Sequence, residues 1–339
     1  MPKRLIVTVA TIAGLAAVLA LAATWSWQQL NQPLDLPDDG IFLEVERGAA
    51  LSRVTARLAG QGVLHHPRLL DWYASWSGAA TGIHAGEYRL ESGLTGLGLI
   101  DRLARGQVHL HQLTIIEGLR FDEVLRRLRA HPAIAATDGS GPQIMAALGE
   151  PELHPEGQFL PDTYSFPRGT TDVALLGWAH EALESRLTQS FDARTDSGIL
   201  MSPYEGLILA SIIERETALD SERALISGVF HERLRRGMRL QTDPTVIYGL
   251  GDGFDGNLTR AHLDTDTPYN TYTRRGLPPT PIALAGAASI RAAFAPAADE
   301  GYLYFVATGE PDGSHAFSRT LEEHNQAVQR YLERERATR

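Results

Sequence analysis

The chain opens on a block of apolar residues without a charge. It runs from Leu5 to Trp25, twenty-one residues reading LIVTVATIAGLAAVLALAATW, behind Lys3 and Arg4. Roughly 20 apolar residues cross the hydrocarbon core of a bilayer as a helix, so the pattern predicts a membrane span over residues 5–27. The basic residues in front keep residues 1–4 in the cytoplasm and export the rest of the chain, with Trp25 and Trp27 at the outer interface. Ala20-Leu21-Ala22 has the small-x-small form of a cleaved signal, the competing reading. The length of the run favours a retained anchor, and either reading exports the body.

After the apolar block the pattern turns polar. NQPLDLPDDG carries prolines, aspartates and a glycine, so residues 28–40 read as a linker. Short alternating runs then precede helix-spaced apolar positions three times. IFLEV is followed by Ala50, Val54 and Leu58, with Gly60 closing the helix. GEYRLESGLTGLGLIDRLARGQV again reads as strand, polar turn and helix, and LTIIEGLRFDEVLRRLRAH as a short apolar strand, Glu117-Gly118, then Phe121, Val124, Leu125 and Leu128. Small strand-turn-helix units of this kind over residues 41–115 resemble the LysM module of cell-wall-binding proteins. A generic subdomain without a ligand explains them equally well. Residues 116–200 connect to a further run of helix and turn signals, and residues 116–339 together form a second domain. The fold class expected is α+β: an N-terminal transmembrane helix, a LysM-like small β/α subdomain and a mixed α+β catalytic domain.

The most apolar helix of that second domain is SPYEGLILASIIERET. Ser202 suits its cap, Pro203 its first position and Glu205 the acid of a capping box. At about 100° per residue, Glu216 continues the stripe of Leu209, Ile212 and Ile213, whereas Glu214 shares a face with Leu207 and Ala210. A carboxylate on such a stripe either pairs with a cation such as Arg215 or Arg223, or keeps its proton and can donate it. The helix by itself leaves both readings open.

Composition narrows the choice of partner. A net charge of −10 excludes a general nucleic-acid binder. The chain has no cysteine, so disulfides, thiolate metal sites and a cysteine nucleophile are excluded. The twelve histidines show no HExxH spacing, and His65-His66 reads as a solvated turn. GMRLQTDPTVIYGLG then offers Gln241, Thr242, Asp243 and Tyr248, with Asp243-Pro244 as cap and first residue of a short helix. YNTYTRRGLPPTPI offers Tyr269, Asn270, Thr271 and Tyr272 before a stiff proline turn. Tyrosines among amides and hydroxyls suit a groove for uncharged sugars, since rings stack on apolar sugar faces and polar atoms bond hydroxyls. A proline-stiffened structural loop is the alternative.

The ordered set ASIIERETALDSER, GMRLQTDPTVIYGLG, YNTYTRRGLPPTPI and YLYFVATGEPDGSHAFSRTLEEHN, together with EGQFLPDTYSFPRGTT, closely resembles the MltG/YceG-like endolytic murein transglycosylases. The resemblance implies a single-pass protein of the bacterial inner membrane with a periplasmic body. It implies cleavage between N-acetylmuramic acid and N-acetylglucosamine in nascent peptidoglycan strands, leaving a 1,6-anhydro end. It also implies work beside peptidoglycan synthases. Glu216, which precedes a small hydroxyl residue, matches the catalytic acid, with Glu214 as support or second choice. Gln241, Thr242, Asp243, Tyr248, Tyr269, Asn270, Thr271, Tyr272, His315 and Phe317 become the expected substrate-binding residues. No metal or organic cofactor is required, because the substrate's own C6 hydroxyl replaces the water that most glycosidases activate with a second carboxylate. Two other outcomes stay open: an inactive glycan-binding scaffold of wall synthesis, and a hydrolase using Glu216 with Asp243 or Glu214 as base.

Overall fold

The computed structural model describes residues 2–195, 198–297 and 300–338. It is an α+β protein, and it divides into two compact units, residues 1–111 with 165–168 and residues 112–164 with 169–339.

The first unit begins with helix α1 (Pro2–Asn31). Its stretch Ile6–Asn31 is long and apolar enough to cross a membrane. Ile6, Val9, Ile12, Leu15, Val18 and Leu21 are all exposed, as a helix that faces lipid requires. Residues 28–40, expected as a linker, instead contribute Leu30 and Leu34 to the core of this unit. Strand β1 (Ile41–Val45) leads to α2 (Leu51–Gly60), α3 (Pro67–Ser77), β2 (Gly86–Leu90) and α4 (Gly96–Ala104). The two strands pair antiparallel, from Ile41 opposite Leu90 to Val45 opposite Gly86. One face of this ribbon, Leu43, Val45, Tyr88 and Leu90, packs with Val54, Leu58, Leu99 and Leu103. The other face carries Phe42, Glu44, Glu87 and Arg89, because successive strand residues point to opposite sides. Ala50, expected on the apolar stripe of α2, is its exposed N-cap, and Leu51 takes the buried place.

Strands β3 (Leu110–Thr114) and β5 (Thr163–Pro167) are the segments in which the chain passes from one unit to the other. Between them lie α5 (Phe121–Ala130), β4 (Ile134–Ala135) and α6 (Gly141–Ala147). The spacing of Phe121, Val124, Leu125 and Leu128 produces the helix expected, with all four buried. After β5 come β6 (Thr170–Thr171), which pairs parallel with β4, and the long α7 (Asp172–Asp192).

The remaining elements are α8 (Pro203–Glu216), α9 (Asp220–Arg235), α10 (Asp243–Leu250), α11 (Arg260–Asp264), α12 (Ala287–Phe294), the antiparallel hairpin β7 (Tyr304–Ala307) and β8 (His315–Ser318), and α13 (Leu321–Thr338). At the centre is α8. Its residues Gly206 to Ile213 are buried on every side, so the helix is a core element and not an amphipathic one. Each of its Leu and Ile side chains stabilises the fold by about 1.5–3 kcal/mol through burial. Helix α12 crosses it at Gly206, where an added Cβ would stand 1.9 Å from the ring of Phe294. Only glycine permits that approach.

Candidate active site

The start of α8 follows from local chemistry. The Ser202 hydroxyl accepts from the Glu205 main-chain N–H at 3.2 Å, and Pro203 occupies the first turn, where its missing donor costs nothing. The Glu205 carboxylate reaches back to the Met201 N–H, one residue beyond its place in a standard capping box. The far end matters more. Helix α8 stops at Glu216 because Thr217 turns to extended backbone, so the last helical residue faces a cavity instead of the core.

That cavity holds about 540 Å³ and is lined by Glu216, Arg233, Gln241, Asp243, Tyr272, Tyr304 to Ala307, His315, Leu321, His324 and Asn325. Its size falls within the roughly 300–1,000 Å³ of small-ligand sites. Burial pushes the Glu216 carboxyl up to about 7, and the charge of Asp243 adds to the rise. A hydrogen bond from Thr242 and the charge of Arg233 oppose it without cancelling it. The Thr242 hydroxyl donates to Glu216 Oε1 and orients the carboxyl. That bond also explains a difference in α10: Thr242, not Asp243, is its N-cap residue, yet its side chain does not cap, being committed to Glu216.

Around this acid the polar groups are held firmly. The Tyr272 hydroxyl donates to Asp243 Oδ1 at 2.6 Å. Arg233 is buried and donates to the carbonyls of Leu303, at 2.7 Å, and Leu240, while its guanidinium lies 5.4 Å from the centre of the Tyr304 ring. Gln241 has φ of 50°, the one positive value outside glycine among the described residues. Such a conformation costs on the order of 1 kcal/mol and persists where surrounding structure imposes it. His315 is fastened twice to Glu222: its N–H donates to Oε1 at 2.7 Å, and Nδ1 bonds Oε2 at 2.7 Å. The Thr217 hydroxyl donates to the same carboxylate at 3.3 Å, tying the residue after Glu216 to the His315 strand.

The structure therefore brings Glu216, Gln241, Asp243, Tyr272 and His315 to one cleft, with Thr242 directly behind the acid. It sets the other expected residues elsewhere. Glu214 accepts from the Gly286 N–H at 2.9 Å and lies 3.5 Å from Arg223, closing the start of α12. The amide of buried Asn270 donates to the Leu263 and Thr265 carbonyls at 3.0 and 2.7 Å, and its oxygen accepts from the Tyr272 N–H at 2.8 Å. Thr271, also buried, accepts from the Thr242 N–H at 3.1 Å. Both hold the backbone on which cleft residues stand. Tyr248 and Tyr269 meet edge to face at 4.8 Å; Tyr248 lies under Arg120, and Tyr269 bonds Thr280 at 2.9 Å. Phe317 packs among Phe305 and Tyr302.

Sequence reasoning missed Arg233, Tyr304, His324 and the positioning carboxylate Glu222. Arg233 sits in an arginine-rich helix where nothing local singles it out. Tyr304 carried the only usable signal, a tyrosine alternating with apolar residues in a strand, and His324 stacks on its ring at 5.2 Å. His65, read as a solvated turn, is exposed and bonds Asp35 at 2.6 Å.

Fold and site define a class: an α+β protein with a membrane-length N-terminal helix and a cleft floored by a protonatable glutamate on a buried helix. Comparison with known proteins then gives the lineage. The chain belongs to the YceG-like family, whose model matches residues 43–330. A Bacillus subtilis protein named endolytic murein transglycosylase is 30% identical over 316 residues, covering 86% of this chain and 85% of its own. A Streptococcus pneumoniae protein of the same name is 24% identical over 356 residues, and this chain spans 63% of its length. A crystal structure of a yceG-like protein from Listeria monocytogenes matches 86% of this chain and 99% of its own, at 30% identity and a TM-score of 0.54.

Proposed function

We propose that this protein is an endolytic lytic transglycosylase of peptidoglycan, with Glu216 as acid and then base. The observation that carries the reading is a glutamic acid with its carboxyl raised to about 7, oriented by Thr242 at the floor of an open cleft. A carboxyl with that pKa is half protonated near neutrality, which is where a general acid works best. Glu216 gives its proton to the oxygen between muramic acid and glucosamine. As the bond breaks, positive charge spreads over the ring oxygen and C1 of the muramic acid. The C6 hydroxyl of that sugar then attacks C1, its proton passes to the Glu216 carboxylate, and the ring closes as the 1,6-anhydro product. Proton and electron pairs balance without water or a cofactor. Tyr304, Tyr272 and Gln241 hold the sugars, and Asp243, engaged by Tyr272, supplies negative charge beside the forming cation.

The same cleft contains Asp243, and this favours a second reading, hydrolysis with that carboxylate as base. Digestion of purified glycan strands separates the two. Mass spectrometry is expected to find 1,6-anhydro ends with the native protein and none with Glu216→Gln. Reducing ends from the native protein would establish the hydrolase, and intact strands an inactive scaffold.

The N-terminus lies in the cytoplasm in this reading and the rest of the chain, after α1, on the outer side of the inner membrane, as Lys3 and Arg4 before the apolar run require. Protease added to spheroplasts should remove the body; protection would reverse the orientation. The first unit serves as a LysM-like glycan-binding module. Trp72 and Trp76, exposed and stacked at 6.3 Å, supply a flat aromatic face of the kind that packs on sugars. Loss of sacculus binding in the full-length Trp72→Ala/Trp76→Ala variant is the expected result, and unchanged binding would remove that role.

A further inference from the structure

A second cluster of chemically able side chains lies in the first unit. On the face of the β1–β2 ribbon opposite its core, Glu87 meets His109 and His111, and the oxygen and nitrogen atoms they offer all lie within 4.8 Å of one another. The chain VHLH generates this locally: residues two apart on an extended segment point the same way. The His109 N–H donates to the Glu87 carbonyl at 2.6 Å, which sets that segment against β2. His111 bonds Glu87 Oε2 at 2.6 Å, and the two imidazoles stand edge to face at 4.8 Å.

We propose that Glu87, His109 and His111 form a site for one divalent transition-metal ion, best matched to Zn²⁺. Two imidazoles and a carboxylate are a recurrent zinc donor set, with the fourth position taken by water. In a tetrahedral site, ligands about 2.1 Å from the ion stand about 3.4 Å apart, so donor atoms within 4.8 Å of one another have to close by at most about 1.4 Å. Side-chain rotation of His109 can supply that, since its ring nitrogens bond no side chain among the described residues.

The surroundings suit a cation in two further ways. Arg168 donates to Glu87 Oε1 at 2.7 Å, leaving Oε2 for the metal and fixing the carboxylate as outer hydrogen bonds do in metal sites. Glu44 stands directly opposite Glu87 in the strand register, so two like charges face each other and offset the positive charge of Arg168. The bound ion would replace the His111–Glu87 hydrogen bond and join β2 to the start of β3. None of these residues belongs to the Glu216 cleft, so the site stands or falls apart from glycan cleavage.

The test is calorimetry of ZnCl2 into the full-length protein in detergent, purified without a histidine tag and stripped with chelator, at pH 7.5. One saturable ion per chain is expected, with a rise in melting temperature. His109→Gln and Glu87→Gln should each weaken binding at least tenfold and abolish that rise, and His65→Gln should leave both unchanged. X-ray absorption at the zinc edge should show two imidazoles and a carboxylate oxygen. Because Glu87 also holds Arg168, His109→Gln is the decisive variant: the His109 ring packs on Phe42 and His111, and its nitrogens bond no side chain among the described residues. Absence of saturable binding, or equal binding by native protein and His109→Gln, overturns the site.

Discussion

Two carboxyl groups in the second unit are pushed up to about 7, Glu216 and Glu156, and they differ in nearly everything else. Burial is the main cause for both. Glu156 is closed in: it accepts from the Phe121 N–H at 2.9 Å and from Tyr248, and it does not line the Glu216 cavity. Glu216 ends a helix at the floor of a cavity, beside Arg233 and the Tyr272–Asp243 pair. A raised pKa is thus a sign of burial first and of chemistry only where substrate can reach the proton. Glu156 pins the start of α5; Glu216 has a cleft in front of it.

The comparison breaks most visibly through activity. Glu216→Gln should lower glycan cleavage by at least about a thousandfold with an unchanged circular dichroism spectrum, since general acid catalysis supplies about 10²–10⁴-fold and the same group acts twice. Glu156→Gln should stay within a few-fold of native. Equal losses would mean that the two groups share a role and that the cleft assignment is wrong.

Stability gives the next largest effect. In the unfolded chain Glu156 ionises near 4.5, and in the folded protein near 7. Between these values the folded state holds more protons, so stability falls as pH rises and the loss is complete above about 7. The shift corresponds to about 3 kcal/mol. Glu216 carries the same shift and adds an equal share, so denaturation across pH 4.5–7.5 should show a slope that Glu156→Gln roughly halves; an unaltered slope would assign the pH dependence to other groups.

Catalysis has its own pH limb. Because Glu216 must carry a proton to begin, kcat/KM should fall about tenfold per pH unit above about 7. A flat profile up to pH 9 would remove Glu216 as the acid. The smallest effect is the most specific. Asp243 raises the Glu216 pKa, so Asp243→Asn should lower it and move that limb down by a fraction of a unit. Movement upward would contradict the electrostatics of the cleft. Glu156→Gln should leave the limb where it is.

Several parts were legible beforehand because their causes are local. The apolar run that becomes α1 needs only its own length and lack of charge. The cap of α8 needs Ser202, Pro203 and Glu205. The helical phase of Leu209, Ile212, Ile213 and Glu216 puts a carboxyl in line with the core before any partner is known. Motif order did the same for Gln241, Asp243, Tyr272 and His315, which meet in one cleft. Asn270 and Thr271 were read as sugar contacts because amides and hydroxyls suit sugars, yet the same groups suit buried turns, and burial decided for the turns.

What the sequence determined by itself, then, were features set by spacing along one segment: the membrane-length helix, the buried α8 and the acid at its end. What only tertiary structure decided was which side chains from distant segments face that acid. Arg233, Tyr304 and His324 come from α9, β7 and α13, and Glu222 reaches across 93 residues to hold His315. The physical reason is that pKa and orientation depend on burial and on neighbours a few ångströms away, and chain order does not encode those distances.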